Sequence, residues 1–298
     1  MLVSIITFLA FQIIPGDSVL VSLGTSATEE AIEQRREELG LNENVFVRYF
    51  KWLANAVKGD FGISSQYHIK VSSLLNDRLP ITMWLTVLSI IIIIVVSIPI
   101  GVLVSKHVNG WVDRLIYLAN QITMAIPPFF LGIIITLVFG FVFRLFTPGR
   151  FYYPDEDFFE FIKFMIFPAL AIALPKIAMV VKFLRSSILR ELSKDYVRTA
   201  KSKGLSRKNI LYKHVLKNAL IPVITFIAMV MADVLANSII IEQVFGIPGL
   251  GRLLVMSISN RDYAIVQAVV LYIVSIIVLL NFIVDILYQY LDPRIRIS

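Results

Sequence analysis

The sequence predicts an all-α integral membrane protein, and three observations carry that prediction. Of the 298 residues, 57% are hydrophobic and only 16% charged, with a mean hydropathy of +0.80. A soluble core of this length cannot hide so much apolar surface, whereas lipid accepts apolar side chains on the outside of a helix bundle as readily as on the inside. Five long apolar segments, 81–104, 115–146, 164–181, 219–241 and 264–286, can each cross a bilayer. At about 1.5 Å per residue they match roughly 30 Å of hydrocarbon, the third with little to spare. Finally, the basic residues cluster in a few connecting segments instead of being spread evenly.

Taken in order, residues 1–14 form a sixth apolar stretch, too short to span as it stands. It lacks the basic start and small-residue cleavage site of a signal peptide, so it reads better as a first transmembrane helix with a shortened or mis-assigned start. Residues 15–80 are the largest polar insertion. Within it, Thr28 to Leu39 reads as a soluble helix capped by Thr28, with acidic residues in its first turn. Tyr49, Phe50, Trp52 and Leu53 form an amphipathic patch suited to packing on the membrane domain or lying at the interface. Residues 81–298 form one membrane core. Pro127 and Pro128 break the 115–146 segment near its middle, and Pro168 and Pro175 punctuate the next. Such prolines are either packing irregularities or hinges.

Charge sets an orientation. Residues 182–217 hold eleven Lys or Arg against two acids, Glu191 and Asp195, which makes the 182–218 loop cytoplasmic by the positive-inside rule. Alternation through the spans then places the Lys106 to Arg114 loop, the Arg294/Arg296 tail and both termini inside. The acid-bearing segments 15–80 and 147–160 fall outside.

The basic loop has internal order. Asp195 can begin a short helix, Gly204 breaks it, Ser206 can cap a second, and Arg207 to Leu216 alternates basic and apolar residues at helical spacing. A helix-turn-helix along the membrane surface fits that pattern, as does a stretch that binds anionic lipid. A nucleic-acid patch fits poorly, because no aromatics are placed for base stacking.

The 219–241 span carries Ala228, Ala232 and Ala236 at four-residue spacing, with Asp233 and Asn237 beside them. An acid inside a span faces a bundle interior, a partner or water, so Asp233 is a pathway residue, an interhelical hydrogen-bonding group or a proton relay. Asn281 and Asp285 read as interfacial. After this span Gly246, Pro248, Gly249 and Gly251 force a turn, and Leu250 to Ile258 has room only for a short helix. That is either a re-entrant element lining a cavity or a plain Gly-Pro loop.

Some chemistries are excluded. The chain has no cysteine, and His68, His107 and His214 lie in different segments, so no metal ligands are expected. No phosphate-binding G-x-x-x-x-G-K-[ST], H-E-x-x-H or G-x-S-x-G motif occurs. No catalytic residue and no cofactor is expected in this chain.

Several motifs together resemble a known family. The run Asp195-Tyr-Val-Arg-Thr-Ala-Lys-Ser-Lys-Gly204-Leu-Ser-Arg, continuing to Asn218-Ala-Leu-Ile-Pro222, resembles the EAA loop of ABC importer permeases in their oligopeptide, dipeptide and nickel branch, as in its B-type subunit. The E-A-A positions fall on Arg198, Thr199 and Ala200, of which only the alanine is retained. Pro15-Gly16-Asp17, Lys58-Gly-Asp-Phe-Gly-Ile-Ser64, Glu242-Gln-Val-Phe-Gly-Ile-Pro-Gly-Leu-Gly251-Arg and Asn260-Arg-Asp-Tyr263 resemble further motifs of that branch.

The resemblance implies six transmembrane helices of the ABC type I importer permease fold, with an extracytoplasmic insertion after the first, in a prokaryotic cell membrane. It implies a non-catalytic half-pore for di- or oligopeptides, with nickel, metal chelates or glutathione as alternative cargo. The implied partners are a second homologous permease, two cytoplasmic ATPases that bind ATP and Mg, a substrate-binding protein and membrane lipids, but no nucleic acid. ATPase coupling would involve Asp195, Arg198, Thr199, Ala200, Lys201, Gly204, Leu205, Ser206, Arg207 and Pro222. Pathway or gate candidates are Asp233, Asn237, Glu242, Phe245, Pro248 and Gly249. An ion-coupled secondary transporter is the rival from another class; it would show inverted repeats, and none is evident.

Overall fold

A computed structural model describes residues 2–13, 28, 30, 33 and 43–291. Pro15 to Asp17, most of the Thr28 to Leu39 stretch and the Arg294/Arg296 tail lie outside these. Among the described residues all regular structure is helical, apart from one isolated antiparallel bridge, Ile63 to Lys70. The chain packs as two units, Met1–Thr82 with Pro248–Ile277, and Met83–Ile247 with Val278–Ser298.

In the first unit, α1 (Leu2–Ile13) packs on α2 (Val45–Val57). Asn44 caps α2 by accepting from the Phe46 N–H at 3.0 Å, satisfying one of the donors that a helix start leaves open. The Phe8 ring meets Tyr49 and Trp52 at 5.5 and 5.7 Å, and the Ser4 and Tyr49 hydroxyls are 2.8 Å apart. The amphipathic patch thus divides: Tyr49 and Trp52 pack on α1, and Phe50 stays exposed. A compact loop then leads to α3 (Val71–Lys106). Gly59 and Gly62, at φ +80° and +81°, supply left-handed turns that side-chain-bearing residues rarely adopt. The unit is completed by α9 (Leu250–Ser259) and the first part of α10 (Tyr263–Leu291).

In the second unit, α6 (Phe158–Leu192) is the central element, with Phe161, Phe164, Met165, Ile172, Leu184 and Ile188 fully buried. It starts cleanly because Asp157 accepts from the Glu160 N–H at 3.1 Å. Pro168 and Pro175 lie inside this helix without ending it. Against it pack α4 (Trp111–Ala125), α5 (Pro128–Val142, whose second half widens to a π-helix) and α8 (Arg207–Phe245). The α6–α8 contact is antiparallel with constant register. Phe164 meets Phe245 and Phe183 stacks on Phe226, at 6.4 and 4.5 Å between ring centroids.

Four helices, α3, α6, α8 and the described part of α10, are long and apolar enough to cross a membrane, and α4 with α5 makes a fifth if the pair counts as one span. The α4–α5 pair bends by 101° where Pro127 and Pro128 interrupt the ladder. The described α1 has 12 residues. This all-helical architecture agrees with the predicted permease fold and is compatible with six spans.

Candidate functional site

The basic loop folds as local chemistry dictates. The short helix α7 (Asp195–Ser202) has Asp195 in its first turn and Lys201 in its last, each complementing the helix dipole. Val197 and Ala200 turn inward and are buried, while Asp195, Arg198, Thr199 and Lys201 are exposed. Gly204 follows at φ +76°, a left-handed residue whose N–H bonds the Lys201 carbonyl at 2.9 Å, and Leu205 N–H returns to the Ala200 carbonyl at 3.3 Å. Ser206 then caps α8 by accepting from the Asn209 N–H at 3.3 Å. From 201 to 209 every residue is exposed, including Leu205 and Arg207. The loop therefore presents a shaped, cationic surface on a buried footing.

That footing is tied to α6 and α8, and further bonds join these two helices to each other and to α3 and α4. Tyr196 donates to Glu191 at the end of α6 at 2.8 Å, and burial holds its phenol above the ordinary tyrosine range, against an opposing hydrogen bond from Asn218. Lys106, the last residue of α3, donates to the Tyr212 hydroxyl in α8 at 2.7 Å. Ser187 of α6 donates to the Ala219 carbonyl at 3.0 Å. Arg185 of α6 grips Asp113 of α4 in a bidentate pair, 2.8 and 2.7 Å, and the Asn109 N–H adds a third donor at 2.9 Å. Pro222 lies inside α8, exposed, and away from the turn formed by Gly204.

Asp233 is ion-paired with Lys176 of α6 at 3.0 Å. Asn237 donates its amide to the Asp233 backbone carbonyl at 2.7 Å. Of the small residues flanking them, Ala228 is buried, Ala232 half-buried and Ala236 exposed.

Glu242 and Phe245 are buried at the end of α8. The Glu242 carbonyl receives the N–H groups of Gly246, at φ +70°, and Ile247, which closes the helix. The Phe245 ring contacts Phe146 and Phe164, and Gly132 of α5 lies against the same ring and Ile241, so a Cβ there would sit 3.2 Å from each. Phe245 is thus a packing residue of the aromatic core.

In the first unit, Arg78 donates to the Pro248 carbonyl at 3.2 Å. Gly249 opens α9 without a side-chain cap, and Thr82 of α3 accepts the orphaned Leu250 N–H at 2.9 Å. Asp262, fully buried before α10, receives the Ser64 hydroxyl, the Gln66 N–H at 3.1 Å and the Ile265 N–H at 3.4 Å. The Lys58–Ser64 and Asn260–Tyr263 motifs, distant in sequence, therefore meet. Asn260 adds a bond to Gln66 at 2.9 Å.

Sequence reasoning named neither Lys176 nor the ties at Lys106, Tyr212, Asp113 and Arg185. Lys176 had a visible signal, being an ionisable residue inside an apolar segment. Lys106 and Arg185 read in the sequence only as topological charge, Tyr212 and Asp113 carry no such signal, and each pair joins distant segments.

Residues 97–297 match the binding-protein-dependent transport system inner membrane component family, and residues 1–86 match the N-terminal region of such membrane components. The chain belongs to this family and is a multi-pass inner-membrane component of a transport system. It is 37% identical over 295 residues, 99% of this chain and 94% of the relative, to a probable peptide ABC transporter permease protein, y4tP, of Sinorhizobium fredii. It is 36% identical over 297 residues, 99% and 94%, to the oligopeptide transport system permease protein AppB of Bacillus subtilis. A glutathione transport system permease protein, GsiC of Escherichia coli, is 34% identical over 296 residues with the same coverage. Among solved structures, a crystal structure of an amino acid ABC transporter with histidines superposes with a TM-score of 0.58 at 14% identity, covering 74% of this chain and 94% of that one, which supports the fold.

Proposed function

We propose that this chain forms half of the translocation pathway of a peptide importer, paired with a second homologous permease and driven by ATP hydrolysis on two cytoplasmic ATPases. A substrate-binding protein delivers the peptide from outside. The chain itself is not catalytic and binds neither ATP nor metal; ATP and Mg sit on the ATPases. Relatives named as peptide permeases over 99% of the chain support the substrate class. A glutathione-type cargo, itself a small peptide, is the second reading, favoured by the GsiC relative.

The carrying observation is the exposed surface from Asp195 to Arg207 on its buried Val197/Ala200 footing. Such a surface suits docking into a cleft of an ATPase, and the Tyr196, Tyr212 and Ser187 bonds give its movement a route into α6, α3 and α8. Its cationic excess supports a cytoplasmic placement, and with it both termini inside. On that topology the bent α4–α5 pair crosses the membrane once, because a re-entrant pair would put the basic loop outside.

Gly204→Pro tests this. Nothing lies within 4 Å of a Cβ at this position, so the damage is confined to a backbone that needs φ +76°. In proteoliposomes holding the whole complex, the variant is expected to insert normally while ATPase stimulation by the loaded binding protein is lost. Full stimulation and transport would sink the coupling role. Gradient-driven transport by this chain alone would instead support the secondary-transporter rival.

A further inference from the structure

The Lys176–Asp233 pair carries an inference that deepens, and rests on, the peptide-importer reading. The pair lies seven residues from the Phe183–Phe226 stack and twelve from the Phe164–Phe245 contact along both helices, so it sits well inside the spanning part of α6 and α8. Those separations are about 10 and 18 Å. Its two members are unequally placed: the Lys176 side chain is only 11% exposed, the Asp233 side chain 60%. Lys176 is the one side-chain donor to the Asp233 carboxylate among the described residues, through Oδ2, because Asn237 is committed to the backbone carbonyl.

A carboxylate this open cannot face hydrocarbon; it must face water or a polar occupant. It lies on a stripe of α8 with Met229, Ala236 and Ile240, three and four residues apart and all exposed, and Ala236 leaves space beside the acid. Lys176 already balances the charge, so the pair can rest in a low-dielectric setting with no permanent partner. A fixed cation from a neighbouring chain would leave net positive charge at rest. A cation that arrives and leaves would not.

We propose that Asp233, backed by Lys176, is a charge-balanced station for the α-ammonium group of a peptide in transit. The ammonium donates to the exposed carboxylate oxygen. Because Lys176 weakens the negative field, the well is shallow, which a translocation path requires for release.

The test uses the reconstituted complete importer and two peptides that its binding protein loads to equal occupancy, one with a free N-terminus and one N-acetylated. Asp233→Asn is expected to lower subsaturating uptake of the free-amine peptide about tenfold, the scale of one charge-assisted hydrogen bond, and to change that of the acetylated peptide less than twofold. Asp233→Glu is expected to keep the preference. Since Asp233→Asn strands Lys176, the double variant Lys176→Gln/Asp233→Asn, which buries no unpaired charge, is measured alongside and should show the same selective loss. Equal losses for both peptides would mark a packing or partner-permease contact and overturn the proposal, as would no loss for either. Absence of peptide uptake by the wild-type complex would overturn the peptide reading first, and is distinguishable for that reason.

Discussion

The Ser64 hydroxyl donates to the fully buried Asp262 carboxylate across 198 residues of chain, joining the loop before α3 to the turn before α10. Asp262 also accepts the Gln66 and Ile265 N–H groups, so its loss orphans several donors at once. Asp262→Ala is expected to destabilise the first unit by about 3 kcal/mol, since bonds to a charged acceptor contribute more than neutral ones and buried orphans are costly. Ser64→Ala, which leaves the two backbone bonds, is expected to cost less than half as much. Thermal unfolding in detergent, with protease access to residues 58–70, orders the two variants; equal effects would contradict the arrangement.

Arg185 and Asp113 hold α4 to α6 with Asp113 only 6% exposed. Arg185→Met removes the counter-charge and leaves the acid buried, for an expected loss of about 3 kcal/mol. Arg185→Lys keeps the charge but not the fork, and falls between wild type and Met. A lysine variant as stable as wild type would show that only the charge matters.

Gly132 lets α5 sit close against α8. A Cβ there would meet Ile241, Phe245 and Val244 at 3.2 to 3.3 Å, and a valine has further methyls with nowhere to go. Gly132→Val is expected to cost about 2 kcal/mol by overpacking. The measurement is again a melting series, with Gly149→Ala as a contrast: no atom lies within 4 Å there, so its strain is only that of φ +79°.

Tyr196 gives the basic loop a pH dependence whose sign follows from burial. Its folded pKa is raised, so the protonated phenol, donating to Glu191, is favoured by folding. That contribution is fully present below the unfolded tyrosine value of about 10 and is lost as pH rises through the higher folded value. Hydrogen exchange of residues 195–209, corrected for intrinsic rate, should hold steady to that point and then rise. Tyr196→Phe should abolish the rise.

Local rules made the basic loop legible. Asp195 opening a helix, Gly204 breaking it and Ser206 capping the next each depend on a residue's own backbone preference, and each stands where the sequence placed it. The break at Pro127 and Pro128 was legible too, although no local rule sets its 101°. Partners were not legible. The Lys58–Ser64 and Asn260–Tyr263 motifs were each visible, but only folding joins them. Phe245 was visible as part of a Gly-Pro turn motif, yet its neighbours Phe146, Phe164 and Gly132 come from other helices. Lys176 was hidden in plain view, since a single lysine barely lowers the apolar character of its segment.

The elbow between α4 and α5 has a mechanical consequence. Two successive imino residues leave two successive backbone positions with no N–H to forfeit. The bend therefore costs no ladder bond at those positions. The two rings fix φ there and the Pro127 carbonyl accepts from the Phe130 and Leu131 N–H groups, so the elbow is stiff in itself and is further held by what grips each arm. On one side that grip is the Arg185 fork on Asp113, and on the other it is the close seat of Gly132 against α8. The joint is a set angle, its φ values fixed by the two rings, and the two clamps carry that angle into α6 and α8.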